Sequence, residues 1–170
     1  MYLRNGMAKR DTVKLEQAAG YLEQVLQKRP DDLQAMKDLA AIYGETGHAD
    51  QAIKYFDQAL SKNPKDPELR MYYGRTLHVL GQPDKAMEQF KAVEQLSPDN
   101  VEAVRQLALF FVQAEDWNHA EPYMERLVTL QPEQANFWNV LGQVYARVGK
   151  SDKALEAIKK AEELQGKKSQ

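Results

Sequence analysis

Cysteine is absent from the chain, which excludes disulfides, thiol nucleophiles and thiolate metal sites. That absence is tolerated in cytoplasm and periplasm alike, so both compartments are compatible with a soluble chain. Long apolar runs are also missing, and nothing approaches the ~20 residues that cross a bilayer as a helix. Neither sign of charge prevails: 23 Lys and Arg against 25 Asp and Glu leave a net charge of −2. A nucleic-acid binder normally carries a strong basic excess, so that class is excluded. The histidines are His48, His78 and His119, and no two have the i, i+4 spacing of a helical metal site. Ser61, Ser97 and Ser151 fall at segment boundaries, where serine serves as a helix cap, and none has a base beside it for a triad. No glycine-rich phosphate cradle is present. The sequence therefore predicts no enzyme, no cofactor and no metal site.

What the chain does contain is a period. Ala52, Ala86, Ala120 and Ala154 stand 34 residues apart, and the surrounding pattern recurs without insertion or deletion. With Leu33 as position 1, position 7 reads Leu39, Tyr73, Leu107 and Leu141, and position 8 reads Ala40, Gly74, Ala108 and Gly142. Position 11 is large and apolar (Tyr43, Leu77, Phe111, Tyr145), and so is position 24 (Phe56, Phe90, Met124, Ile158). Positions 4, 7, 8 and 11 share one face of a helix, and positions 20, 24 and 27 share one face of a second. Gly47, Gly81 and Gly149 at position 15 mark a left-handed turn between the two, with Glu115 in the third copy. Pro64, Pro98 and Pro132 at position 32 stop the second helix. Small residues at positions 8 and 20 permit the helices of a pair to cross closely.

This pattern resembles the tetratricopeptide repeat over Leu33–Gly166, most fully in the last copy, where Trp138, Leu141, Gly142, Tyr145 and Ala154 match the signature. The resemblance implies an all-α fold: a right-handed superhelical solenoid of antiparallel helix pairs, about nine helices in all. The expected organisation is a disordered or expression-derived start at 1–10 and an orphan helix at 11–32. Four repeats follow at 33–66, 67–100, 101–134 and 135–166, then a disordered tail at 167–170. In the orphan helix Ala18, Leu22 and Val25 take positions 20, 24 and 27, and its first-helix partner is missing. Its apolar residues Tyr21, Leu22, Val25 and Leu26 cover more than one face, a surface expected to be covered by a second copy of the chain or by sequence beyond this chain.

In proteins this sequence resembles, first helices line a concave groove through positions 2, 5, 6, 9, 12 and 13. Carried over, the partner-binding residues are Lys37, Met71, Tyr72, Arg75, His78, Arg105, Gln106, Leu109, Gln113, Asn139 and Gln143. They read as an apolar-aromatic floor crossed by cations able to hold a carboxylate. The dicarboxylate clamp of chaperone-binding relatives is not reproduced: only Lys37 fits, and Glu102 reverses a required charge. The function implied is a non-catalytic interaction module, an adaptor that binds a peptide segment or helix of a partner protein. The alternative is a structural scaffold that oligomerises through its repeat ends.

Overall fold

The computed structural model describes residues 2–168, and the side chains of 11–167. Among the described residues there are nine α-helices and no strand: α1 (Tyr2–Lys28), α2 (Leu33–Glu45), α3 (Ala49–Lys62), α4 (Pro67–Val79), α5 (Pro83–Leu96), α6 (Val101–Gln113), α7 (Trp117–Leu130), α8 (Ala135–Arg147) and α9 (Ser151–Lys168). None of them is long and apolar enough to cross a membrane.

Local chemistry accounts for the register. Position 1 of the period is the first residue of α2, α4, α6 and α8. The residue before it caps the helix in three of the four: Asp32, Asp66 and Asn100 accept from the N–H of Ala35, Leu69 and Ala103. Such a cap contributes about 1 kcal/mol. Gln134, in the same place before α8, makes no side-chain cap bond. Gly47, Gly81 and Gly149 end the first helices with φ of 79°, 72° and 79°, and Glu115 adopts the same left-handed region at 55°. Each second helix opens two residues later, with Pro83 at the tolerated first position of α5.

Two stretches differ from expectation. α1 begins at Tyr2 rather than Asp11, because Leu3, Met7, Ala8, Lys9 and Arg10 are strong helix formers and no proline interrupts them. α9 runs on to Lys168, because Gly166 stands where the other repeats have proline and leaves the N–H ladder intact. Met1, Ser169 and Gln170, parts of the expected disordered ends, lie outside the described residues.

The chain divides into two compact units, Met1–Gln89 and Phe90–Gln170, and the division falls inside α5. In the first unit α1 packs on α2, α2 on α3 and α4, and α3 on α4. In the second, α6, α7, α8 and α9 pack in sequence. Positions 7, 11, 24 and 27 supply the largest fully buried side chains, among them Leu39, Phe56, Leu77, Leu107, Met124 and Leu141. The alanines of position 20 are all inside. At Gly142 an added Cβ would stand 2.8 Å from Ile158 Cγ1 and 3.2 Å from the Ala154 carbonyl, so the small pair at positions 8 and 20 does set the α8–α9 crossing. Ile158 itself is 38% exposed, unlike its counterparts at position 24, since α9 packs chiefly on α8.

Successive repeats are also joined by one recurring side-chain contact. The residue at position 25 of a second helix meets an aromatic ring on the next first helix. Glu23 accepts from the Tyr43 hydroxyl at 2.8 Å, Asp57 from Tyr73 at 3.1 Å, and Glu125 from Tyr145 at 2.6 Å. In α5 that place is Lys91, and its ammonium lies 5.7 Å from the ring centre of Phe111, which has no hydroxyl to offer. Burial and the neighbouring carboxylate together push the Tyr43 hydroxyl up to about 12, and they raise Tyr73 and Tyr145 above the usual phenol range.

Candidate functional site

On a helix of 3.6 residues per turn, positions 2, 6, 9 and 13 form one stripe nearly opposite the buried face. On α2 that stripe is Gln34, Asp38, Ala41 and Glu45; on α4 it is Glu68, Tyr72, Arg75 and Val79. The two helices run parallel, for Lys37 meets Asp66 near their starts and Gly44 meets Thr76 near their ends. Gly44 allows this approach, since a Cβ there would come within 2.7 Å of Thr76 Cγ2.

The stripes face each other across a trough made of two adjoining cavities, of about 290 and 280 Å3, which share Ala41 and Tyr72. Gln34, Lys37, Asp38, Glu68 and Leu69 line the first, and Gly44, Glu45, Arg75, Thr76 and Val79 the second. The small side chain of Ala41 opens the middle. Opposite it, Tyr72 is 41% exposed with the Arg75 guanidinium 5.1 Å from its ring centre, and Val79 is 79% exposed. An exposed aromatic and an exposed β-branched residue on one polar face make a docking floor of modest size.

Position 5 lies on the flank of this stripe, on α2 turned toward α4, and this corrects part of the expected site. Met71 is only 6% exposed and belongs to the core, not to a groove floor. Lys37 is in an ion pair with Asp66, the cap of α4, with side chains 27% and 11% exposed. Burial opposes ionisation of Asp66, but Lys37 and the N–H groups of Leu69 and Glu68 outweigh it and hold its carboxyl below the usual range. In the second unit Arg105 is paired with Glu102 of its own helix at 2.6 Å, and Gln106 donates to the same carboxylate at 2.8 Å. Asn139, also at position 5, is half-buried. Of the cations read as carboxylate holders, Lys37 and Arg105 are thus engaged within the protein.

The remaining expected residues are accessible. Arg75 and His78 are exposed on α4; Leu109 (36% exposed) and Gln113 are exposed on α6, and Gln143 on α8. Sequence reasoning missed Ala41 and Val79 as lining residues. The signal was available: Val79 is an apolar residue in the otherwise polar position 13. Among the described residues no group of three or more His, Asp or Glu is placed to hold a metal ion.

The profile of the Cilia and flagella-associated protein 70 middle TPR-like domain matches residues 36–165. Among curated proteins, the General transcriptional corepressor trfA of Dictyostelium discoideum is 26% identical over 91 residues, 54% of this chain. The chain spans about 6% of that relative's length. Among solved structures, MamA from Desulfovibrio magneticus, residue 41 to the end, aligns at a TM-score of 0.74 with 22% identity, covering 99% of this chain and 97% of that one. YrrB, described as a TPR protein with an unusual peptide-binding site, aligns at 0.73 with 22% identity, covering 92% and 81%. Likeness at this level of identity shows the fold, an all-α solenoid of helix pairs.

Proposed function

The chain belongs to the family of the cilia and flagella-associated protein 70 middle TPR-like domain, and from that premise we propose that it is a non-catalytic interaction module that holds a peptide segment of a partner protein against its first helices. The observation that carries this reading is the trough between α2 and α4, open to solvent and floored by Ala41, Tyr72 and Val79. Its walls sit on a close-packed core, so binding costs little reorganisation of the protein. YrrB, similar in fold, is described as having a peptide-binding site.

Tyr72 is the anchor of the site, and Arg75 holds its ring in place. An aromatic anchor of this kind carries about 2 kcal/mol or more of binding energy. A displayed random-peptide library selected on the folded protein provides ligands for the test. Tyr72→Ala should weaken the selected peptides by at least about tenfold, with the helical content of the protein unchanged. Selected peptides that bind Tyr72→Ala and Arg75→Ala as well as wild type would overturn the assignment. Leu109, Gln113 and Gln143 are the matching open positions of the second unit, and His78 flanks the first.

A second reading has its own observation. Val13 and Tyr21 on α1 are 52% and 71% exposed, and Leu155 and Ile158 on α9 are 68% and 38% exposed. Apolar residues at the two terminal helices suit a scaffold that assembles with copies of itself. Light scattering over a wide concentration range separates the two: constant mass supports the module, and growth with concentration the scaffold.

A further inference from the structure

Resting on the reading of the α2–α4 trough as a peptide site, we infer that its occupant is a basic segment with an apolar side chain at its centre, not an acidic tail. The inference comes from a charge count that the pairing pattern changes. Lys37 is neutralised by Asp66. What remains around the trough is three carboxylates, Asp38, Glu45 and Glu68, against the guanidinium of Arg75. Among the described residues no cation pairs with any of the three; Asp38 accepts only the side-chain amide of Gln34, at 2.8 Å.

Their placement matters as much as their number. Glu68 and Asp38 stand at positions 2 and 6, toward the starts of the parallel helices, and Glu45 at position 13, toward their ends. The apolar surface of Ala41 and Tyr72 lies between. At 1.5 Å of rise per residue the stripe from Gln34 to Glu45 is about 16 Å long. An extended peptide covers that with about five residues. A segment with an apolar residue in the middle and Lys or Arg on each side would set its side chain on Tyr72 and its cations against the two acidic ends. A segment rich in Asp or Glu would meet like charge at both ends, and such juxtaposition suppresses the wrong partner.

The test uses three fluorescein-labelled peptides of equal length with the same central Leu-Phe, flanked by lysines, serines or aspartates. Anisotropy titrations are run on the full chain. Wild type should bind the lysine peptide about tenfold tighter than the aspartate peptide, a gap that salt narrows because the ion pairs are exposed. The double substitution Glu45→Lys with Glu68→Lys should reverse the order. Tyr72→Ala should weaken the lysine and serine peptides together. Equal affinity for all three peptides, lost on Tyr72→Ala, would overturn the charge inference and leave the peptide site standing. Binding of none of them to wild type would overturn both.

Discussion

Gly20 and Gly142 both sit inside helices, and replacing either with alanine removes the same backbone freedom. In a helix interior that exchange gains about 0.8–1 kcal/mol, provided the new methyl has somewhere to go. At Gly20 in α1 it meets nothing within 4 Å. At Gly142 in α8 it would press on Ile158 Cγ1 at 2.8 Å and on the Ala154 carbonyl at 3.2 Å. Ile158 can turn aside, but the carbonyl belongs to the α9 backbone and can move only if the helix moves. Overpacking of this kind costs about 1–3 kcal/mol. The propensity gain is common to both variants and cancels when they are compared, so their difference isolates the crossing. We expect Gly20→Ala to raise the urea midpoint and Gly142→Ala to lie about 1–3 kcal/mol below it, measured by far-UV circular dichroism. Equal stabilisation in the two would show that the small residue of position 8 is not what sets the distance between paired helices.

Glu115 holds a left-handed conformation at φ 55° where the other repeats have glycine. Glu115→Gly should stabilise by about 0.5–1 kcal/mol, the strain relieved less the entropy glycine adds to the unfolded chain; a loss on urea denaturation would refute this. Burial and nearby carboxylates raise Tyr43, Tyr55, Tyr73, Tyr123 and Tyr145, with Tyr43 and Tyr123 pushed up to about 12. A raised folded-state value means that their stabilisation is complete below pH ~10 and is lost as pH rises through the folded values. Alkaline absorbance titration should therefore show a late phase tied to unfolding, and a single ionisation step near pH ~10 would contradict it. Glu125 is shifted the other way: the Tyr145 hydroxyl hydrogen bond lowers its carboxyl, burial opposes this, and Lys153 and Lys150 add to the lowering. Its contribution is present above the unfolded carboxylate range and is lost as pH falls through the depressed value. Glu125→Gln should flatten the acid limb of thermal stability, and an unchanged slope would count against it.

The sequence reveals most of the fold because each signature residue acts within its own repeat. The periodic alanines, the turn glycines and the link prolines dictate register through sterics that need no knowledge of a partner. The caps Asp32, Asp66 and Asn100 escaped notice because they stand one place before the period's first residue. The site was legible only in part. Tyr72 and Arg75 lie on a stripe that helical geometry alone turns outward. Lys37 lies on a flank whose exposure depends on how near α4 comes, and that distance is set by Gly44 against Thr76; Met71 is buried among the core residues. Ion pairing then changed the meaning of the charges. Lys37 and Arg105 look like free cations in one dimension, yet each already has a carboxylate at hand.

The contacts at position 25 bear on how such a protein can be rearranged. Asp57 expects a phenol, and Lys91 expects a bare ring. Splicing 101–134 directly behind 33–66 would put Leu107 in the place of Tyr73 and Phe111 in the place of Leu77, leaving Asp57 no hydroxyl to accept from, although the alanines and prolines of the pattern would still be in step. The copies are therefore not interchangeable bricks, and their serial order is itself encoded, one matched couple at a time.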